Sequence, residues 1–427
     1  MSRARPADLE GWLAYLETLH PKSIAMGLAR VGEVRARMRV ALDCPVITVT
    51  GTNGKGSTTA MIEAMLRCAG YRTGRYLSPH LSRYNERVAI GGVPVEDATL
   101  LEAFHEVEDA RTAAGPPTPL TYFEFGTLAA FAVFAKAGVD VAVLEVGLGG
   151  RLDAVNLIDA DVAVLTSVAL DHMDYLGPTR EAIGLEKAHV FRPGRPAVCG
   201  EPDPPASVID HARAIGARLC RIGVDYQATP EGGQWRYDGP GGPRYGLPVP
   251  ALRGGYQLGN AATAIATLAF LRDRLPVPAG SIRDGLVGVE LPGRFQVLPG
   301  RPTVVLDVAH NPHAARAFAE ALGTMGFHPR TTAVLGMLAD KDLDGVILAV
   351  AQRVDRWHVA SLPGPRGATA ETLQGRLVAA GVPAQSIGTH RDVAAAWAAA
   401  LGEATEADRI VVFGSFLTVA AALAARR

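Results

Sequence analysis

Thr48-Val49-Thr50-Gly51-Thr52-Asn53-Gly54-Lys55-Gly56-Ser57-Thr58 is the stretch on which the fold turns. It starts as the tail of an apolar, β-branched run, Pro45–Thr50, passes through a glycine-rich turn and enters a helix-like segment, Ser57–Cys68. Strand, glycine turn and helix in that order aim backbone N–H groups and a helix N-terminus at one point, an arrangement suited to phosphate oxygens. The glycines permit tight curvature and close approach of the backbone. Lys55 supplies a cation for the β- and γ-phosphates, while Ser57 or Thr58 supplies a hydroxyl for Mg²⁺ or its water. Gly56 is a departure, because Ser or Thr more commonly follows the lysine. A nucleoside triphosphate is expected on Gly51, Thr52, Asn53, Gly54, Lys55, Gly56 and Ser57.

Working outward, Val139–Val146 and Asp161–Val168 are also nearly continuous apolar runs, the pattern of parallel strands covered on both faces. Thr127–Lys136 has the length and composition of a crossover helix, so the spacing predicts an α/β doubly wound sheet. Glu201–Leu252 is rich in Pro and Gly, notably at Asp238-Gly239-Pro240-Gly241-Gly242-Pro243. It reads as turns and short strands peripheral to that sheet. Helical character returns from about Asn260 to Arg272.

A second α/β set follows residue 300. Thr303–Leu306, Thr332–Leu335, Trp357–Ser361 and Arg409–Phe413 read as strands, and Ala314–Leu322, Ala370–Ala380 and Val393–Leu401 as the helices between them. With Pro299-Gly300-Arg301-Pro302 as linker, the predicted domains are 1–298 and 299–427. Two domains also suit 427 residues, since single cores stop growing at roughly 250–300.

Composition excludes more than it identifies. Hydrophobic residues at 48% and charged residues at 20% are ordinary for a soluble globular chain. A net charge of −1 gives no basis for a nucleic-acid or membrane-surface partner. Cys44, Cys68, Cys199 and Cys220 are scattered, which fits reduced thiols better than a disulfide or zinc framework. Met1 to Glu10 carries Arg3, Arg5, Asp8 and Glu10 and has no signal-peptide pattern, and no run approaches the ~20 apolar residues of a membrane span. A cytoplasmic location is expected.

The loop alone fixes nucleotide use, not a reaction. Further motifs accompany it: Leu77-Ser78-Pro79-His80-Leu81, Thr121-Tyr122-Phe123-Glu124, Glu145-Val146-Gly147-Leu148-Gly149-Gly150-Arg151-Leu152-Asp153-Ala154, and Ala169-Leu170-Asp171-His172-Met173-Asp174-Tyr175-Leu176-Gly177. Glu186-Lys187-Ala188, Leu291-Pro292-Gly293-Arg294-Phe295 and Asp307-Val308-Ala309-His310-Asn311-Pro312-His313 complete the set. In this order it resembles the bifunctional dihydrofolate synthase/folylpolyglutamate synthases of bacteria, within the Mur ligase superfamily. The resemblance runs from Trp12 to Phe416, essentially the whole chain.

The resemblance implies an N-terminal P-loop ATPase domain with a parallel sheet, a smaller C-terminal Rossmann-like α/β domain, and an active site in the cleft between them. It implies an ATP-dependent ligase that activates a carboxylate as an acyl phosphate and joins it to L-glutamate. The carboxylates are those of dihydropteroate and reduced folates. By matching motifs, Ser78, Glu145 and His172 ligate Mg²⁺, and Lys187, carbamylated by CO₂, holds a second Mg²⁺. Lys55, Glu145, His172 and Lys187 form the implied catalytic set. Asn260, Arg294, Asp307 and His310 match the remaining ATP positions. Thr121, Tyr122, Phe123, Glu124, Arg151, Asp153 and Ala154 match the substrate positions, where Phe123 offers an aromatic face to a flat ring. A monomer is implied too.

Ordinary structural readings stand beside several of these. Glu186-Lys187 reads alone as a solvated charge pair on a helix, Phe123 as core, and Asp307 and His310 as turn caps before Pro312. Ala25 departs from the family pattern, standing where an acidic residue is common. The rival reading is a Mur ligase acting on a UDP-sugar peptide, against which the Thr121–Glu124 and Glu145–Ala154 motifs argue.

Overall fold

The computed structural model describes residues 5–22 and 24–426; Ser23, within the segment around Ala25, lies outside them. The chain divides into two compact units, Met1–Val249 with Gly259–Val289, and Pro250–Leu258 with Glu290–Arg427. Among the described residues no helix is long and apolar enough to cross a membrane.

The first unit is built on eight strands: β1 (Val46–Thr50), β2 (Thr73–Tyr76), β3 (Val88–Ile90), β4 (Val93–Pro94), β5 (Val141–Glu145), β6 (Val162–Leu165), β7 (Pro196–Cys199) and β8 (Arg218–Arg221). Their order is β4-β3-β2-β5-β1-β6-β7-β8, parallel from β2 to β8 with an antiparallel edge at β3 and β4. β1, β5 and β6 are buried along their whole length, which is why their sequences are apolar without alternation. β1 lies between β5 and β6, with Val49 opposite Glu145 and Thr50 opposite Leu165. The carboxyl ends of these neighbours therefore open at one place, the usual position of a site in such a sheet.

Helix Lys55–Cys68 is buried from Gly56 through Leu66. It packs closely on helix Ala279–Gly288, where a Cβ on Gly285 would come within 2.7 Å of the Met65 backbone. Behind helix Tyr122–Ala137 an aromatic group anchors the N-terminal helices: Trp12 and Phe104 centroids are 5.8 Å apart, and Phe104 and Phe125 5.5 Å.

The stretch from Glu201 to Leu252 is less peripheral than its composition predicts. It contains helix Ala206–Ala214, whose Val208 and Ala212 are buried, and β8, which extends the main sheet. Only β9 (Gln227–Glu231), β10 (Gln234–Asp238) and β11 (Arg244–Pro248) form a separate antiparallel sheet.

The second unit carries β12 (Gln296–Leu298), β13 (Thr303–Leu306), β14 (Thr331–Leu335), β15 (Arg356–Ala360), β16 (Ile387–His390) and β17 (Arg409–Phe413), in the order β12-β13-β17-β14-β15-β16. β12 pairs antiparallel with β13, so Pro299–Pro302 turns a hairpin inside this unit. Its own core gathers Phe318, Trp357, Phe413 and the aliphatic residues around them.

Candidate active site

The phosphate loop is shaped by contacts that only glycine permits. Gly51 and Gly54 have φ of 149° and 83°. A Cβ on Gly51 would stand 1.9 Å from Thr166 Oγ1, and one on Gly54 2.8 Å from Asn260 Oδ1. Asn260 is thereby brought against the loop. The first helical turn follows at Lys55, with Gly56 and Ser57 buried in it.

A brace missed in the sequence holds this loop from behind. The run Asp161–Val168 leaves the sheet at Leu165, and its last residues turn to the loop. Thr52 N–H donates to Ser167 O at 2.8 Å, and Asn53 N–H donates to Ser167 Oγ at 2.9 Å. The Thr166 hydroxyl donates to Asn53 O at 2.6 Å, and Ala169 N–H to Thr52 Oγ1 at 3.0 Å. Two hydroxyl residues closing an otherwise apolar run were the available signal.

Two lysines converge on one carbonyl. Lys55 Nζ donates to Gly51 O at 3.0 Å, and Lys187 Nζ donates to that same oxygen at 3.0 Å. Lys187 is 4% exposed, so it is not half of a solvated pair. Glu186 turns outward to Arg151 at 2.7 Å while the lysine turns inward. Burial, and after it the Lys55 charge, push the Lys187 ammonium down to about 7, against the opposing pull of Asp171 and Asp153.

Glu145 ends β5 and is buried, and it accepts the Ser78 N–H at 2.9 Å. This puts the Ser78 residue and the Glu145 carboxylate in one corner beside the loop. His172 sits in the left-handed region at φ 51° and opens the short helix Met173–Leu176, its N–H donating to Asp171 Oδ1 at 2.9 Å. Between them the glycines of the Glu145–Ala154 motif allow close packing. A Cβ on Gly149 would be 2.8 Å from Leu176 Cδ2, and one on Gly150 2.7 Å from Glu186 O. The motif thus knits the strand bearing Glu145 to the helix bearing Lys187.

Among the described residues, no group of three or more His, Cys, Asp or Glu side chains is placed to hold a metal ion. The expected set contains only two of those types, Glu145 and His172. Ser78 would add a hydroxyl, and a carbamylated Lys187 would add an oxygen donor. Ser78 beside a buried carboxylate is a hard oxygen corner, which suits Mg²⁺ with phosphate and water completing its shell.

The substrate candidates divide by what they already do. Thr121 and Glu124 form a capping box on helix Tyr122–Ala137: Glu124 N–H donates to Thr121 Oγ1 at 3.2 Å, and Thr121 N–H to Glu124 Oε2 at 2.8 Å. Glu124 also holds Arg30 in a two-pronged pair, at 3.0 and 2.7 Å. Phe123 is half-buried, its ring so close to Gly147 that a Cβ there would be 2.6 Å away. Tyr122 packs edge-on to Tyr84, and the Arg87 guanidinium lies 5.4 Å from its ring centre. Arg87 also donates to His80 Nδ1 at 2.8 Å, and burial pushes that imidazole down to about 4. Asp153 accepts N–H bonds from Leu148 at 2.8 Å and Val155 at 3.0 Å, while burial pushes its carboxyl up to about 7. Ala154 is buried next to it.

In the second unit Arg294, Asp307 and His310 lie in one neighbourhood. Asp307 is buried and accepts Phe295 N–H at 2.8 Å and Ala309 N–H at 2.7 Å. Burial pushes its carboxyl up, and Arg294 counters. The Arg294 guanidinium lies 4.9 Å from the Phe416 ring centre, and His310 Nδ1 is 2.9 Å from Val308 O. Asp307 thus has a structural task, holding Phe295 at φ 41°.

Two family models match most of the chain. Residues 49–268 match the Mur ligase middle domain, and residues 293–416 match the Mur ligase glutamate ligase domain. The dihydrofolate synthase/folylpolyglutamate synthase of Escherichia coli K12 is 46% identical over 416 residues, covering 97% of this chain and 94% of that protein. The Mycobacterium tuberculosis protein of the same description is 35% identical over 354 residues, covering 77% of this chain and 72% of its own. Among solved structures, E. coli FolC in complex with DHPP and ADP superposes with TM-score 0.91 at 46% identity, covering 98% of this chain and 97% of that one. The Yersinia pestis bifunctional enzyme with AMPPNP and Mn ion superposes with TM-score 0.90 at 46% identity, covering 100% of both chains.

Proposed function

Since the chain belongs to the Mur ligase family, as a dihydrofolate synthase/folylpolyglutamate synthase that spends ATP to attach L-glutamate, we propose how its own residues divide that work. Gly51–Ser57 hold the ATP phosphates, with Asn260 against the loop and Lys55 moving from the Gly51 carbonyl to the transferred phosphoryl group. The acceptor is the carboxylate of dihydropteroate or of a reduced folate, as the DHPP complex of the E. coli relative supports. That carboxylate attacks the γ-phosphorus and releases ADP, giving an acyl phosphate. The amino group of L-glutamate then attacks the acyl carbon, and phosphate leaves as the amide forms. Both partners in the first step are anions, so positive charge must offset their repulsion.

Ser78, Glu145 and His172 are proposed to hold one Mg²⁺, and Lys187, as its carbamate, a second. Bound there, the metal ions supply charge neutralisation at the phosphoryl group. Lys187 suits carbamylation because its amine is buried and loses its proton near pH 7, and a neutral amine is the form that adds CO₂. Phe123 presents a ring face for the pterin beside Gly147, with Thr121, Tyr122, Glu124, Arg151, Asp153 and Ala154 shaping that end. Arg294, Asp307 and His310 are proposed nucleotide contacts. The protein is proposed to act as a cytoplasmic monomer, which sedimentation at assay concentration would check.

The observation carrying the reading is the shared Gly51 carbonyl, where a P-loop lysine and a buried second lysine meet. ADP release should require both dihydropteroate, or a reduced folate, and L-glutamate. Release driven instead by a UDP-sugar peptide would replace this acceptor assignment.

A further inference from the structure

Val168 is gripped on both sides of its backbone by charged groups that no catalytic step uses. Its N–H donates to Glu201 Oε2 at 2.8 Å, and its C=O accepts from Arg180 Nε at 3.0 Å. The two also approach each other, Arg180 Nη2 lying 3.5 Å from Glu201 Oε1. Asp203 completes the clasp: its carbonyl accepts from Arg180 Nη2 at 2.6 Å and its N–H donates to Glu201 Oε1 at 3.2 Å. Glu201 is buried, and a buried carboxylate persists only when its oxygens are spoken for.

The position of the clasp is what distinguishes it. Arg180 opens helix Arg180–Ala188, which carries Lys187 in its last turn. Glu201 follows β7. Val168 lies between Ser167 and Ala169, whose bonds to Thr52 and Asn53 hold the phosphate loop. His172 comes four residues later in the same segment. One node of side chains therefore ties together the phosphate loop, the His172 segment and the Lys187 helix.

We infer that Glu201 and Arg180 are positioning residues that hold the Val168–His172 segment and the Lys187 helix in one register, and so set the affinity of the site for its divalent metal ion. This rests on the proposed roles of His172 and Lys187. Polar groups behind metal ligands commonly govern ligand orientation in this way.

The test titrates Mn²⁺ into the full chain with ADP present, reading free Mn²⁺ by electron paramagnetic resonance, alongside ADP binding in EDTA. Glu201→Ala and Arg180→Ala should weaken Mn²⁺ by about ten-fold or more and metal-free ADP by a clearly smaller factor, since Ser167 and Ala169 keep their own bonds to Asn53 and Thr52. Glu201→Gln keeps an acceptor for Val168 N–H and should recover most of the affinity. Arg180→Lys, a change at a partly exposed site, keeps the charge but loses the bond to Val168 O; it should be weakened too, and decides the matter if Glu201→Ala does not fold. His172→Ala is the reference. If it weakens Mn²⁺ while the Arg180 and Glu201 variants bind as the parent does, the inference falls and the His172 assignment stands. If His172→Ala itself leaves Mn²⁺ binding unchanged, the assignment falls and takes the inference with it.

Discussion

Burying the Lys187 ammonium destabilises the fold wherever that amine stays protonated. The folded chain titrates it at about 7 in place of 10.5, so between those values the unfolded chain binds the additional proton and stability rises with pH. The cost is full below about 7 and gone above 10.5. In CO₂-free buffer, Lys187→Met should therefore be more stable than the parent at pH 6.5, by on the order of 1–2 kcal/mol after the lost bond to Gly51 O is set against the relief. Urea midpoints should show that gain shrinking toward pH 10; an equal gain at both pH values would rule out the buried charge as its cause. The same variant should make no amide product with its fold intact, and near-normal turnover would remove Lys187 from the mechanism. Asp307 has a different balance. Asp307→Ala leaves the buried N–H groups of Phe295 and Ala309 without their acceptor, each worth about 1–3 kcal/mol. Its urea midpoint should fall whether or not nucleotide is present, and a variant that loses only ADP affinity would show that the carboxylate serves the ligand alone.

At the scale of elements, helix Tyr122–Ala137 and the glycine turn after β5 carry the clearest expectations. Thr121→Ala removes the acceptor at the helix start and should cost about 1 kcal/mol in chemical denaturation. Gly150→Ala is more severe in function than in stability. Its Cβ would press on the Glu186 and Lys187 carbonyls at 2.7 and 2.8 Å, so the Lys187 helix must retreat. Overpacking of this kind costs roughly 1–3 kcal/mol, yet ligase activity should fall by far more than the melting temperature suggests. Activity close to the parent's would mean the helix tolerates that shift. These elements also mark where sequence reading stops. β1, β5 and the phosphate loop are legible because buried parallel strands and tight turns leave local signatures. The burial of Lys187 is not, because its acceptor lies 136 residues away in the chain. Nor is the Arg30–Glu124 pair, 94 residues apart, or β16, whose Ile-Gly-Thr-His sequence has no apolar run. Such features arise from packing, and a local pattern carries no record of them.

For the molecule as a whole, the decisive property is that each unit has its own hydrophobic core. The alternation of apolar runs and helical segments was enough to foresee two α/β units, because each must bury a sheet between helices wherever the chain supplies them. What alternation does not convey is how the chain is shared out, with Pro250–Leu258 assigned to the second unit although Gly259–Val289, which follows it directly, belongs to the first. Two cores make more than one unfolding stage the expectation, and a single melting temperature then describes neither unit. The four tryptophans allow this to be read directly, since Trp12 and Trp235 lie in the first unit and Trp357 and Trp397 in the second. Phe318 is buried between Phe295 and Phe413, at centroid distances of 5.8 and 5.2 Å. Phe318→Ala empties that space and should cost the second unit about 3–5 kcal/mol. In a chain with Trp12 and Trp235 replaced by Phe, the remaining fluorescence should then report unfolding at clearly lower urea. A midpoint that does not move would mean that Phe318 is not the keystone its burial indicates, and that the core around Trp357 closes over the gap.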